Sequence, residues 1–239
     1  MTRFASGPTR VAQAVVAALL FGGLARAAEQ TPDDYFPLSK GTQWIYSADV
    51  DWTVLNTGGE VRHSHVTFKS EVIDVFSAEH LFAAKIRGFI HDLSWYEPDR
   101  PPADHVIVRV GVNRYYLIDQ NVAEFWEKMI RSASDPYLEE LGDDNILLET
   151  PLRKGALYGE PAQTPRAWYC WAVTGERRVR MAQAVSRAKT LHEYSIRFQT
   201  SPDHTEMGFT PGIGITRYEY GHHGTVANCR ARLIEFHRG

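Results

Sequence analysis

From Trp44 to Val54 the chain alternates, Ile45 apart, with Trp44, Tyr46, Ala48, Val50, Trp52 and Val54 on one side of a period-two pattern. Successive side chains of a strand point to opposite faces, so this segment reads as one long strand with an apolar face and a wet face. A helix of the same sequence would scatter these residues around its axis. The chain must therefore supply an interior able to take two tryptophans and a tyrosine from a single strand.

Asn56-Thr57-Gly58-Gly59 is a turn signal, and a second strand is predicted from Glu60 to Phe76. The register follows from bringing the apolar sets together. A three-residue loop, 57–59, sets Val50 opposite Val66, Ala48 opposite Phe68 and Trp44 opposite Val72. A two-residue loop would put those sets on opposite faces of the hairpin.

Further strands are predicted at Leu81 to Trp95, His105 to Val112 and Tyr115 to Ile118, with Glu97 to Pro102 as a breaker. A helix follows, with Asn121 as N-cap and Glu124 three residues on. Its stripe is Val122, Phe125, Trp126, Met129 and Ile130, expected to pack on the sheet. Asp135-Pro136 opens a short second helix ending at Gly142. Strands return at Trp168 to Glu176, Arg177 to Met181, His192 to Thr200, Gly214 to Tyr220 and Val226 to Phe236. The fold class is mostly β with a short helical insertion around residues 121–141.

The first 27 residues have the layout of a secretory signal: Arg3 and Arg10, an apolar run from Val11 to Leu24, then Ala25-Arg26-Ala27. Cleavage after Ala27 would leave a single domain, residues 28–239, with no transmembrane segment, since the run is shorter than the roughly 20 residues that span a bilayer. The expected location is the periplasm or the exterior. Arg3, Arg10 and Arg26 leave with the signal, so 23 basic residues face 29 acidic ones, a formal charge of −6. An acidic chain without a Lys/Arg run of five or more is a poor partner for nucleic acid.

Pro37-Leu38-Ser39-Lys40-Gly41, followed by Trp44 and Tyr46, stands directly after the signal. Pro151-Leu152-Arg153-Lys154-Gly155 echoes it near mid-chain, and Phe209-Thr210-Pro211-Gly212-Ile213-Gly214 precedes the closing strands. Together these resemble a group of exported bacterial β-rich proteins of unassigned activity, many of them lipoproteins. The resemblance implies one strongly curved antiparallel sheet, a half-barrel or open barrel, in two halves opening at Pro37 and Pro151. The chain departs from the group in lacking a lipidation cysteine, its first being Cys170, and in having Leu157-Tyr158 where the second repeat usually has Trp.

Chemistry is sparsely marked. Asp49 and Asp51 face His63 and His65 across the first hairpin, with Asp51 opposite His65 in the register above. Imidazoles at i and i+2 with nearby carboxylates can hold a divalent ion, and the same residues equally make a solvated sheet face with cross-strand ion pairs. Cys170 and Cys229 lie in predicted strands, either as a disulfide or as two separate buried thiols. No Gly-x-Ser-x-Gly, His-Glu-x-x-His or Cys-x-x-Cys occurs, so no cofactor is implied and no enzyme class is marked. Three readings stand: a structural or protein-interaction module for another envelope protein, a binder of a lipid-like or other hydrophobic ligand in the curved sheet, and, behind these two, a metal-dependent enzyme. For protein recovered from its host, the intact mass is expected to be that of residues 28–239; a mass retaining the first 27 residues would contradict the signal assignment.

Overall fold

The computed structural model describes residues 35–239 except 55–57, 79–80, 133–140, 160–167 and 189. The segment read as a signal and most of the segment read as a second short helix lie outside the described residues.

The long first strand forms as its alternation requires. β1 (Gln43–Thr53) buries Trp44, Tyr46, Ala48 and Val50 and leaves Asp49 exposed. It pairs with β2 (Val61–Ala78) on one side and β12 (Ala227–His237) on the other. Around it runs a single antiparallel sheet of 12 strands, in the order β6-β5-β4-β3-β2-β1-β12-β11-β10-β9-β8-β7. The first meander comprises β3 (Leu81–Arg87), β4 (Asp104–Val110), β5 (Arg114–Ile118) and β6 (Ile146–Glu149) after β1 and β2. The second comprises β7 (Leu157–Tyr158), β8 (Trp171–Val179), β9 (Leu191–Gln199), β10 (Asp203–Thr210), β11 (Gly214–His222) and β12.

The sheet curls until its two edge strands meet. At this seam no ladder forms; the Tyr158 hydroxyl donates to the Leu147 carbonyl (3.4 Å), and Trp171 Nε1 donates to the Ile146 carbonyl (2.7 Å). The result is a nearly closed barrel, the curved antiparallel architecture expected from the sequence.

Two pieces of chain fill the interior. Tyr35 to Leu38 enters first, and Phe36 packs against Trp44, Tyr115 and Phe209 with ring centroids 5.5–6.0 Å apart. Trp44 Nε1 donates to the Ile213 carbonyl (2.6 Å) and the Tyr46 hydroxyl to the Ile215 carbonyl (2.9 Å), so each buried ring is also satisfied as a donor. The second piece is a 3-10 segment, Ile90–Trp95, which crosses inside the barrel to β11 and β12, burying Ile90, Leu93 and Ser94. The Ser94 hydroxyl bonds the Tyr218 hydroxyl at 2.6 Å.

The helix α1 (Gln120–Arg131) lies on the outer face, where it touches β2, β4 and β5. Val106, Ile107 and Val108 are consequently all buried, since the barrel core takes one face of β4 and α1 covers the other. Lys85 reaches Glu127 (2.9 Å) and Arg131 reaches Asp74 (2.6 Å), ion pairs that clamp the helix to the sheet.

Several expectations need correction. The β1–β2 register sets Asp49 opposite His65 and Asp51 opposite His63, two residues away from the pairing expected, with Val54 and Glu60 closing a longer loop. An even shift leaves every side chain on its own face, so the apolar pattern could not distinguish the two registers. The strand predicted to reach Trp95 ends at Arg87, because at Gly88 (φ 69°) any Cβ would lie 2.6 Å from the Lys69 carbonyl oxygen. The helix is capped by Asp119, whose carboxylate accepts from Asn121 N (2.8 Å), and its buried stripe is Ala123, Trp126, Met129 and Ile130. Val122 and Phe125 are exposed. β8 is one strand where two were predicted, and β10 was not predicted at all.

Trp44→Ala is expected to lower stability by about 3–5 kcal/mol in chemical denaturation. Val112→Ser, on an exposed turn, should change it by less than about 0.5 kcal/mol. Equal effects of the two would refute the interior assigned to Trp44.

Candidate functional site

The Asp/His set lies on the outer face of the sheet, as alternation placed it, but divided into two pairs. His63 Nδ1 donates to Asp51 Oδ1 (2.7 Å) and His65 Nδ1 to Asp49 Oδ1 (2.8 Å). The hydrogen bond from His65 holds the Asp49 carboxyl below the usual carboxylate range. The corrected register gives each carboxylate one imidazole, so the four side chains do not converge on one point. Among the described residues no group of three or more His, Cys, Asp or Glu is placed to hold a metal ion. Asn228, Gly221 and His204 continue the row across β12, β11 and β10, and Arg230, Glu219 and Glu206 form the next one. This is a polar ladder on an exterior sheet face.

Cys170 and Cys229 are both buried, and no disulfide joins them. Cys170 directly precedes β8, Cys229 lies in β12, and β9, β10 and β11 separate those strands. Neighbouring strands lie about 4.8 Å apart and a disulfide needs Cα atoms within about 7 Å, so that pairing is out of reach. Burial pushes the Cys229 thiol up to about 12, which keeps it protonated and unreactive.

The open end of the barrel is different in kind. Trp52, Val54, Trp95, Tyr96, Pro98 and Val226 line an open groove of about 540 Å³. Trp52 and Tyr96 meet edge to face at 5.1 Å, and Trp95 is 48% exposed. Trp52, expected on the buried face, is only half-buried because β1 runs out at this rim.

A polar brace stands behind Trp95. The Tyr220 hydroxyl and His222 Nδ1 both donate to Asp203 Oδ1, at 2.7 and 2.6 Å, and the His222 ring lies 4.9 Å from the Trp95 ring. Burial pushes the Asp203 carboxyl up, but the hydrogen bonds from His222 and Tyr220 outweigh it and leave the group lowered. His222, the last residue of β11, and its neighbour His223 diverge, with His223 turning towards His204.

The groove was not legible in the sequence. Trp95 and Tyr96 read there as the tail of a strand and the approach to a breaker. Gly88, where the strand stops, was the available signal.

A further space, a partly open pocket of about 200 Å³, lies beneath the seam. Phe89, Leu117, Leu147, Trp171, Phe198 and Met207 give it an apolar wall, and His91, Thr205 and Asn145 add polar groups. His91 is an exposed residue that also lines this space, and the protein packed around its ring lowers its pKa. The filled core leaves no lumen for a long lipid-like chain along the barrel axis.

No family model matches the sequence, and no curated protein matches it significantly. Among solved structures, a candidate lipoprotein from Parabacteroides distasonis aligns over 84% of this chain and 97% of its own, at 13% identity and a TM-score of 0.35. A candidate exported protein with a YmcC-like fold from Bacteroides fragilis aligns over 85% and 98%, also at 13% identity and a TM-score of 0.35.

Because the folded pKa of Asp203 is depressed, its contribution to stability is present above the ordinary Asp range and is lost as the pH falls through the folded value. Asp203→Asn is therefore expected to be less stable than the parent near neutral pH, with the difference shrinking on acidification. A pH-independent difference would remove the carboxylate from the brace.

Proposed function

We propose that the protein is an exported component of the bacterial cell envelope that acts without catalysis, by docking another envelope protein in the aromatic groove at the end of its barrel. The N-terminal basic, apolar and Ala-Arg-Ala segment supports export. The observation that carries the docking reading is Trp95, half-exposed yet braced from behind by His222 and Asp203. Large aromatic side chains presented at low conformational cost are where interface energy concentrates. Trp52, Tyr96 and Pro98 beside it make the surface apolar, and the carboxylate of Glu97 at the rim suits a partner segment with apolar side chains and a basic flank.

The competing ligand reading is favoured by one feature, the pocket beneath the seam, and is narrowed by the aromatic filling of the core. A lipid-like chain has no room there, whereas a compact molecule does.

The test is a photo-crosslinking residue in place of Trp95, in the full precursor expressed in its host, with position 112 on an exposed turn as control. A discrete adduct with another envelope protein at 95, absent at 112 and lost on Trp52→Ser, is expected. With a purified partner, Trp95→Ser should weaken binding by about 2 kcal/mol or more, roughly thirtyfold. Adducts of equal yield at both positions would overturn the assignment of the groove.

A further inference from the structure

We propose that the pocket beneath the seam between β6 and β7 is a second binding site, for a small neutral ring compound bearing one polar group, reached sideways through the seam at Trp171. It is independent of the groove at the barrel end and shares no lining residue with it.

Size comes first. The pocket holds about 200 Å³, and a cavity of roughly 150 Å³ lined by apolar side chains already admits benzene. A single substituted ring fits, and a long acyl chain does not. Protein interiors are otherwise close-packed, as the rest of this barrel is around Phe36 and Trp44, so a space of this volume stands apart from the core beside it. Flat ring faces border it, with Trp171 and Phe198 at 5.1 Å from one another, and the Met207 thioether is suited to lie against an aromatic edge.

The polar groups set the ligand's charge. His91 makes no hydrogen bond to any described residue and looks into the pocket. Burial lowers its pKa, so at neutral pH the ring is uncharged and offers one N–H donor and one nitrogen acceptor. A hydroxyl or ring N–H can use either. Among the described lining residues a carboxylate would meet no Lys or Arg and would pass the Asp144 side chain, so an anionic ligand is disfavoured.

The route in follows from the sheet. Everywhere else neighbouring strands are joined by backbone ladders, but β6 and β7 are the two ends of the strand order and share none. The side-chain bonds from Trp171 to the Ile146 carbonyl and from Tyr158 to the Leu147 carbonyl hold them together. Among the described residues these two side-chain bonds close the boundary, and such a boundary opens locally far more often than a ladder does. Trp171 belongs both to that closure and to the pocket wall, so its movement admits the ligand.

The experiment titrates the mature protein with p-cresol and with toluene, by calorimetry and by line-shape analysis of ligand NMR signals. One saturable site with Kd below about 1 mM is expected for p-cresol. His91→Phe should weaken p-cresol about tenfold, the effect of one neutral hydrogen bond, and leave toluene within about twofold. Met207→Trp should abolish binding of both by filling the space. Leu117→Phe on another wall replaces it if Met207→Trp loses its near-ultraviolet circular dichroism. Trp171→Phe keeps a ring but removes the clasp, so exchange rates should rise while Kd changes little. Absence of saturable binding to the folded protein overturns the proposal. So does binding that survives the filling variants and disappears in Trp95→Ser, which would place the probe in the end groove.

Discussion

Phe36 occupies the space that a side chain at Gly214 would need. A Cβ on Gly214 would lie 2.9 Å from Cε2 of Phe36 and 3.2 Å from Nε1 of Trp44, and the backbone there has φ 103°. The close approach of the β11 backbone to two aromatic rings joins the chain entering at Tyr35 to the strand on the far side of the sequence. Around that contact sit Tyr115 and Phe209, and the Trp44 indole closes it by bonding the Ile213 carbonyl. The barrel is thus filled by its own N-terminal segment, and the 3-10 segment after Gly88 fills a further part of it. The two proposed binding surfaces lie where this filling stops, at the rim beside Trp95 and beneath the seam.

What the sequence disclosed and what it did not divide along a physical line. Period-two alternation identified β1, its buried face and the outward placing of Asp49 and Asp51, because burial of one face tolerates no odd shift. It could not choose between registers two residues apart, and the proposed four-ligand site depended on that choice. The matched Pro-Leu-x-x-Gly segments mark matched backbone: Gly41 N donates to Val72 O and Val72 N to Thr42 O, while Gly155 N donates to Val173 O and Val173 N to Ala156 O. Short strands with weak alternation, such as β10 with its Gly208, gave no signal. The inward turn after Gly88 is a tertiary event, and so the groove and the pocket that depend on it were invisible.

The electrostatics are those of a surface under modest local control. Most ion pairs are exposed and contribute little individually. The exceptions do positional work: Arg177 reaches the buried Glu193 at 2.6 Å, the Thr216 hydroxyl donates to the same carboxylate at 2.7 Å, and the Glu193 side chain lies over Gly208. Asp203 plays a comparable part at the rim, where it fixes His222 and through it Trp95.

Among its described residues the barrel has no through-lumen and keeps a small pocket beneath the seam. Crystallography of the mature protein under xenon pressure tests it most directly, since xenon enters apolar space without selecting for shape. The account requires xenon beneath the seam, between Phe198 and Met207, and none along the axis between Trp44 and Tyr218. Xenon or elongated lipid density running along that axis would contradict it.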